Sequence, residues 1–293
     1  DRMVYTGQEY FKTEEEMKSL FPDHPELLAA TKEVADKVEE YELDSPPIMP
    51  KFPIPESFGT EEDFRSLCAA AKERGIRVIL DGVFNHTGDD SRYFNKKGRY
   101  PTVGAYQSRG SAYASWYTFR SFPDDYECWW NIPVLPRLNG NDPSLRAFLT
   151  GEGGIIESRC RTGIAGFRLD VADELPPPML EAIRDAVKRG TDGEGIVIGE
   201  VWENAADKVA YGHRRRYLQG GQLDSVMNYP IRSGILSFVQ DGDAEFLYDV
   251  LTELYASYPR PVSDVLMNLL GTHDTPRILT LLGDPSGGEG MTN

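Results

Sequence analysis

The chain has 293 residues, of which 40% are apolar and 11% aromatic, and a formal net charge of −16 at pH 7. This length and composition are sufficient for a large buried core. The negative charge argues against a nucleic-acid surface, because phosphate binding needs a basic face, whereas a neutral ligand such as a sugar is not repelled.

Targeting signals are not recognisable in the sequence. It contains neither an apolar run long enough to span a membrane nor a basic leader followed by apolar residues. We therefore expect a cytoplasmic protein without a membrane partner, and the start at Asp1 indicates a fragment of a longer chain. The three cysteines are scattered without a CxxC pair, which predicts reduced packing residues and neither a disulfide framework nor a zinc site.

The N-terminal 57 residues differ in character from the rest. Apolar residues at helical spacing, among them Leu27, Val34 and Val38, predict a helix over 25–41. Five prolines follow within residues 45–59, and so many prolines predict an extended linker.

A repeated alternation of helices and strands begins near residue 60. Thr60, followed by three acidic residues, predicts a helix that ends near Gly75, and the almost continuous apolar run 76–84 predicts a buried parallel strand. Further predicted strands lie within 163–172, 195–202, 223–229 and 265–271, and further predicted helices lie at 179–189, 231–239 and 246–258. This order is typical of βα units around a parallel sheet.

A charged pair ends the predicted strand that contains GFRLD. Side chains alternate along a strand, so Arg168 and Asp170 share a face, with about 6.6 Å between them along the strand. A guanidinium at that position would hold the Asp170 carboxylate ionised and aimed, as a nucleophile requires. A buried structural ion pair is the alternative interpretation.

Glu200 ends the next predicted strand. Apolar neighbours would favour its protonated form, which suits a proton donor, while a solvated glutamate at a loop edge is the alternative. Two carboxylates on neighbouring strands are what glycoside hydrolysis needs, and the gap between them, about 5 to 5.5 Å in retaining enzymes, decides the stereochemistry.

Two other strand ends carry histidines. His86, after DGVFN, is placed to donate a hydrogen bond to a sugar hydroxyl, although a lone histidine at a strand end is more often structural. His273 and Asp274 follow the last predicted strand, and Asp274 is a third carboxylate that could grip ring hydroxyls.

These stretches together resemble a known enzyme family. DGVFNH, GFRLD, GEVW and THD, in this order, resemble the four signature regions of the alpha-amylase superfamily of glycoside hydrolases, over residues 58–284. LPRLN (135–139) and SVMNYP (225–230) resemble its cyclomaltodextrinase and neopullulanase branch. The resemblance implies an α/β fold, the (β/α)8 TIM barrel, here incomplete because only strands three to seven are recognisable.

The resemblance also implies roles for individual residues. Asp170 would be the nucleophile, Glu200 the acid/base and Asp274 the transition-state stabiliser. Asp81 would be structural, and Asn85 matches a position that binds calcium in many amylases, so calcium is an option although no cofactor is required. The implied sugar-binding residues are His86, Arg168, His273 and Trp202.

An insertion at about 88–145 carries the aromatic residues Tyr126, Trp129 and Trp130. Enzymes of this family build their glucan cleft in this region, and ordinary packing is the alternative explanation for the cluster.

The N-terminal segment resembles a different protein. Residues 1–63 are similar to a stretch of bacterial DNA polymerase III alpha subunits, without any metal motif. We therefore expect a segment 1–57 foreign to the barrel, followed by a partial catalytic barrel over 58–293, as a chimeric reading frame would give.

Two functions follow from this pattern. The first is a retaining glycosidase that cleaves α-1,4-glucosidic bonds in maltooligosaccharides, starch or cyclodextrins, with a homodimer as an option. The second is a catalytically inactive remnant that still binds glucan, because an unfinished sheet leaves its edges unpaired.

Overall fold

The computed structural model describes residues 12–24, 26, 30, 33, 36–37 and 59–283. The chain divides into two units, Asp1–Phe58 and Gly59–Asn293. In the first unit, helix α1 (Glu14–Leu20) begins with a capping box between Thr13 and Glu16. Most of the helix predicted over 25–41 and nearly all of the predicted linker lie outside the described residues. The foreign origin of the segment 1–57 stays a prediction.

The second unit is built on four parallel strands in the order β1, β4, β5, β8. Two short antiparallel pairs, β2 with β3 and β6 with β7, lie outside this sheet. The bounds are β1 (Ile79–Gly82), β2 (Phe119–Ser121), β3 (Asp125–Tyr126), β4 (Gly166–Leu169), β5 (Ile196–Gly199), β6 (Val209–Ala210), β7 (His213–Arg214) and β8 (Ser225–Val226).

The parallel sheet agrees with the sequence prediction, but its last strands are shorter than expected. Of the predicted strand 223–229 only Ser225 and Val226 form β8, and Asn228 already caps the helix that begins at Tyr229. The predicted strand 265–271 is reduced to a single parallel bridge between Met227 and Met267.

Helices follow the strands in the predicted order. They are α2 (Glu61–Glu73), α3 (Pro143–Thr150), α4 (Ile155–Cys160), α5 (Pro177–Gly190), α6 (Tyr229–Asp241), α7 (Ala244–Ser257), α8 (Arg260–Ser263) and α9 (Ile278–Gly283). Thr60 caps α2 through the backbone N–H of Asp63, as the sequence predicts. None of the helices among the described residues is long and apolar enough to cross a membrane.

The main core lies between the sheet and α5. Leu180, Ile183 and Val187 of α5 recur at helical spacing and are fully buried together with Leu169 and Val197 of the sheet. Each such side chain contributes about 1.5 to 3 kcal/mol on burial. The core therefore fixes the two strands whose ends carry Asp170 and Glu200.

Gly166 allows the closest approach in this sheet. Its φ is 142°, and a Cβ built there would lie 1.8 Å from the carbonyl oxygen of Ile196. Only glycine has both this conformation and the space, because any side chain would push β5 away from β4.

The insertion adds aromatic residues to the main core. The ring of Phe94, which is fully buried, lies 4.9 Å from that of Tyr117 and 4.7 Å from that of Tyr126. Ordinary packing is thus the correct explanation for Tyr126. All three cysteines of the chain are free thiols, as predicted.

Candidate active site

Asp170 and Glu200 lie side by side at the carboxyl ends of neighbouring strands. Leu169 pairs with Gly199 in the parallel register, so the residues that follow are adjacent as well. The N–H of Glu200 donates to the carbonyl of Leu169 at 2.9 Å, and the N–H of Asp170 donates to that of Gly82 at 3.2 Å. The ladder thus continues to the two carboxyl-bearing residues and places them about one strand spacing apart, 4.7 to 4.9 Å.

Arg168 is the cation that joins the carboxylates. Its Nη1 donates to Asp81 Oδ1 and to Asp170 Oδ1, each at 2.8 Å. Its Nη2 lies 2.9 Å from Glu200 Oε2, as an ion pair without the alignment of a hydrogen bond. Burial alone would lower the pKa of Arg168, but the bonds to Asp81 and Asp170 and the charge of Glu200 raise it above its usual value. The guanidinium is therefore a permanent positive charge.

Asp170 is paired with Arg168 and remains accessible. The contact with Arg168 is the one that the strand alternation predicts, and 19% of the side chain stays exposed, so a ligand can reach it. Asp81 is paired with the same Nη1, and its side chain is half exposed.

Glu200 has surroundings that the sequence did not predict. It is only 6% exposed, so the solvated glutamate of the alternative interpretation is wrong. The expected apolar neighbours are also wrong, because three donors surround the carboxylate. Besides Arg168, the backbone N–H of Val171 donates to Oε2 at 2.7 Å and the indole N–H of Trp202 donates to Oε1 at 2.9 Å.

Trp202 forms one wall beside Glu200. Its indole stacks on the ring of Tyr229 with centroids 4.0 Å apart and 10° between the planes. Trp202 is 45% exposed, whereas Tyr229 is buried. The indole therefore has one face on protein and another available to a ligand, as expected of the sugar-binding residue that the resemblance implies.

His86 is stacked on Trp129 with centroids 5.0 Å apart. Burial lowers the pKa of His86, and the charges of Asp170 and Glu174 oppose this in part. Trp129 in turn stacks on Trp130, at 4.9 Å, and Trp130 is 74% exposed. Of the aromatic cluster in the insertion, these two tryptophans thus form a row that leads from His86 to solvent.

His273 and Asp274 lie on an exposed turn after the Met267 bridge. Nε2 of His273 is 3.2 Å from Asp274 Oδ2, and their side chains are 69% and 41% exposed. Neither contacts Asp170 or Glu200 directly. The charge of Asp274 nevertheless acts on Tyr229. Burial is the main cause that raises the pKa of that tyrosine, Thr272 and Arg168 oppose it, and the charges of Glu200 and Asp274 add to it.

Asn85, the calcium position of the resemblance, borders a cavity of about 190 Å³ with Glu127, Asn139 and Glu174. Arg137 lines the same cavity, and its Nη2 is 3.3 Å from Glu174 Oε2. A guanidinium there repels a divalent cation. Within 12–24 and 59–283, no group of three or more His, Cys, Asp or Glu side chains is arranged for a metal. These residues do not fit a calcium site, and the chemistry below uses none.

Sequence reasoning missed two contributors to this site. Val171 is a β-branched residue in the left-handed region, at φ 41°, and nothing in the sequence predicts that conformation. Tyr229 lies in the SVMNYP stretch, which the sequence comparison noticed without giving it a role.

Comparisons with known proteins identify the family and the fold. The family described as "Alpha amylase, catalytic domain" matches residues 51–289. An amylopullulanase of Thermoanaerobacterium thermosulfurigenes is 38% identical over 78% of this chain and 13% of its own length. A cyclomaltodextrinase of a Bacillus species is 36% identical over 78% of this chain and 39% of its own length.

A solved structure is similar as well. The cyclic alpha-maltosyl-(1→6)-maltose hydrolase of Arthrobacter globiformis aligns with a TM-score of 0.66 and 31% identity, over 78% of this chain and 50% of that protein. The chain belongs to the alpha-amylase family, and its parallel sheet is part of the (β/α)8 barrel of that family's catalytic domain. These relatives are glycosidases, and the chain spans half of their length or less.

Proposed function

We propose that this protein is a retaining glycosidase that cleaves α-1,4-glucosidic bonds in maltooligosaccharides, starch or cyclodextrins. The observation that supports this most directly is the shared guanidinium of Arg168, which lies within 2.9 Å of both Asp170 and Glu200. The residues that bear the two carboxylates are adjacent across β4 and β5, so the separation of about 5 to 5.5 Å between carboxyl groups that retaining chemistry needs is the one we expect here. The names of the relatives, a cyclomaltodextrinase among them, favour α-glucan substrates.

The proposed reaction has two displacements. Asp170 attacks the anomeric carbon, the glycosidic C–O bond breaks, and the leaving oxygen takes a proton from Glu200. Water then attacks the glycosyl-enzyme ester, gives its proton to Glu200 and releases Asp170. Arg168 keeps Asp170 ionised for the first displacement. Asp274, on the exposed turn, is proposed to bind ring hydroxyls and stabilise the transition state.

The sugar chain is proposed to lie along two aromatic walls. Trp202 presents an exposed indole face beside Glu200, and Trp130 presents another at the outer end of the row that begins at His86. Aromatic faces suit the apolar face of a glucose ring, while His86, Arg168 and His273 are proposed to supply its polar contacts. Trp130 has φ 48°, an uncommon conformation of the kind that persists at ligand sites.

Turnover of maltotriose by the 293-residue chain tests this function. Asp170→Asn should abolish activity and Glu200→Gln should lower kcat about 100-fold or more. Asp264→Asn, which changes an exposed carboxyl just after α8, is the matched control and should remain active. Proton NMR should show the α-anomer as the first product, and a first β-anomer would exclude a retaining mechanism.

The second candidate is a glucan-binding remnant without turnover. It is favoured by the exposure of Asp274 and by the three donors that hold Glu200 in place. Calorimetric binding of maltotriose to a folded chain that releases no product would support it. Binding that is lost in Trp130→Ala would then place the ligand on the aromatic row.

Other expectations concern the whole protein. We propose that residues 1–63 derive from a polymerase-like reading frame joined to the barrel. Sequencing the genomic locus across residues 55–65 tests this, and an uninterrupted native frame would contradict it. A cytoplasmic location and a homodimer are further proposals, and sedimentation of the purified chain decides the second.

A further inference from the structure

Tyr229 lies between two parts of the site, the Trp202–Glu200 pair and the turn that carries Asp274. The proposed reaction gives Tyr229 no role. We propose that Tyr229 is a positioning residue: it holds the Trp202 indole against the carboxyl group of Glu200 and ties both to the turn that carries Asp274. The proposal rests on the proposed function, because it gives Tyr229 a part in delivering the proton to the leaving group.

The first observation is the stack itself. The Trp202 and Tyr229 rings are 4.0 Å apart and nearly parallel, and Tyr229 is only 3% exposed while Trp202 is 45% exposed. The buried ring is thus the fixed support and the indole is the part that would move without it. The support matters because the indole N–H reaches Glu200 Oε1 at 2.9 Å only in this orientation.

The second observation is how Tyr229 is anchored. Its neighbour Asn228 donates its backbone N–H to the carbonyl of Met267 at 2.9 Å and its side-chain amide to Asn268 Oδ1 at 2.8 Å. The same Asn228 caps α6 by accepting from the N–H of Ile231. The start of α6 is therefore fixed to the segment that leads into the Asp274 turn.

The third observation concerns the Tyr229 hydroxyl. It is buried, faces Thr272, and has no well-aligned hydrogen bond among the described residues. Burial is the main cause that raises the pKa of Tyr229, and the charges of Glu200 and Asp274 add to it while Thr272 and Arg168 oppose it, so the hydroxyl stays neutral. A neutral polar group can lie between two negative charges without repelling either.

These contacts have a chemical consequence. In the first displacement the leaving oxygen must take a proton from Glu200, and the transfer depends on how that carboxyl is oriented. A tethered indole N–H at Oε1 restricts the carboxyl to one rotamer. The effect should be large for a poor leaving group, which needs the proton, and small for an activated one, which departs without it.

Leaving-group dependence therefore tests the proposal. Tyr229→Leu removes the ring that supports Trp202, and it should lower kcat on maltotriose about 10- to 100-fold but change kcat on 2,4-dinitrophenyl α-maltoside only a few-fold. Tyr229→Phe keeps the ring and should retain most activity on both. Tyr255→Leu is the matched control, because Tyr255 is 63% exposed on α7.

A merely structural role for Tyr229 would lower both rates by the same factor, and equal losses would overturn the proposal. Trp202→Phe tests the same contact in case Tyr229→Leu misfolds, because Trp202 is half exposed and its replacement disturbs the core less. It keeps a ring on Tyr229 but removes the N–H, and it should show the same leaving-group pattern. A uniform loss in this variant would also count against the proposal.

A second measurement needs no turnover, so its failure is distinguishable from failure of the proposed function. The fluorescence of Trp202, obtained as the difference between the chain and Trp202→Phe, reports how firmly the indole is held. Its quenching by acrylamide should increase in Tyr229→Leu and stay unchanged in Tyr229→Phe. Unchanged quenching in Tyr229→Leu would overturn the positioning role, whether or not the chain hydrolyses sugar.

Discussion

The backbone N–H of Val171 donates to Glu200 Oε2 at 2.7 Å, and Val171 makes this contact from the left-handed region, at φ 41° and ψ 56°. A β-branched residue rarely adopts this conformation, which costs on the order of 1 to 3 kcal/mol. The cost is tolerated where it turns a donor onto the carboxyl group that the proposed reaction uses.

Val171→Gly should therefore stabilise the protein. Glycine adopts the left-handed region without strain, and this gain exceeds the entropy that the unfolded chain acquires, so we expect the free energy of unfolding to rise by about 1 kcal/mol. Urea denaturation followed by circular dichroism measures the change. A loss of stability would mean that the packing of the valine side chain outweighs its strain.

Removing the Arg168 charge should have the opposite effect. Arg168→Met leaves Glu200 buried without its cation and Asp170 without its partner, and breaking such a pair costs about 3 kcal/mol. We expect a correspondingly lower denaturation midpoint. Arg260→Met, which removes an exposed guanidinium paired with Asp264, should leave the midpoint nearly unchanged. Similar midpoints for the two variants would show that the three-carboxylate cluster contributes little to stability.

The free energy of unfolding should fall as the pH is lowered, through the protonation of His86. Burial lowers the pKa of His86 in the folded state below its ordinary value of 6.5, so the unfolded state binds the proton more readily. This contribution is fully present above pH 6.5 and is lost as the pH falls through the lowered folded value. His86→Gln should show a smaller decrease of the free energy of unfolding between pH 7 and the acidic range.

The exposed His213 provides the comparison for His86. His213→Gln should follow the pH dependence of the unmodified chain. If His86→Gln loses stability on acidification as steeply as the unmodified chain does, the decrease originates in other groups.

Calcium should not stabilise this protein. The Arg137 guanidinium lies in the cavity beside Asn85 and Glu174, where it repels a divalent ion. We expect the same thermal midpoint with EDTA and with millimolar calcium. A midpoint that drops in EDTA and recovers on adding calcium would show that oxygen ligands assemble there despite Arg137.

How much of this could be read from the sequence differs between elements. The strand that carries Arg168 and Asp170 was predictable, because side-chain alternation and a continuous apolar run depend only on local order. The orientation of Glu200 was not predictable, because its three partners come from different places. They are Arg168 on β4, the strained residue Val171 and Trp202, two positions further along the chain. Strand length near Met267 also escaped prediction, since apolar composition does not say where the sheet stops pairing.

Two parts of the site differ in how freely they can vary during evolution. Arg168 connects side chains from three neighbouring strands, so substitutions there alter the integrity of the sheet along with the chemistry. Trp130 and Asn131 sit in a short loop with two consecutive left-handed residues, away from the main core. That loop can accept changes at little cost to folding. New substrate preferences should therefore arise by exchange of the loop, while the charged centre is inherited unchanged.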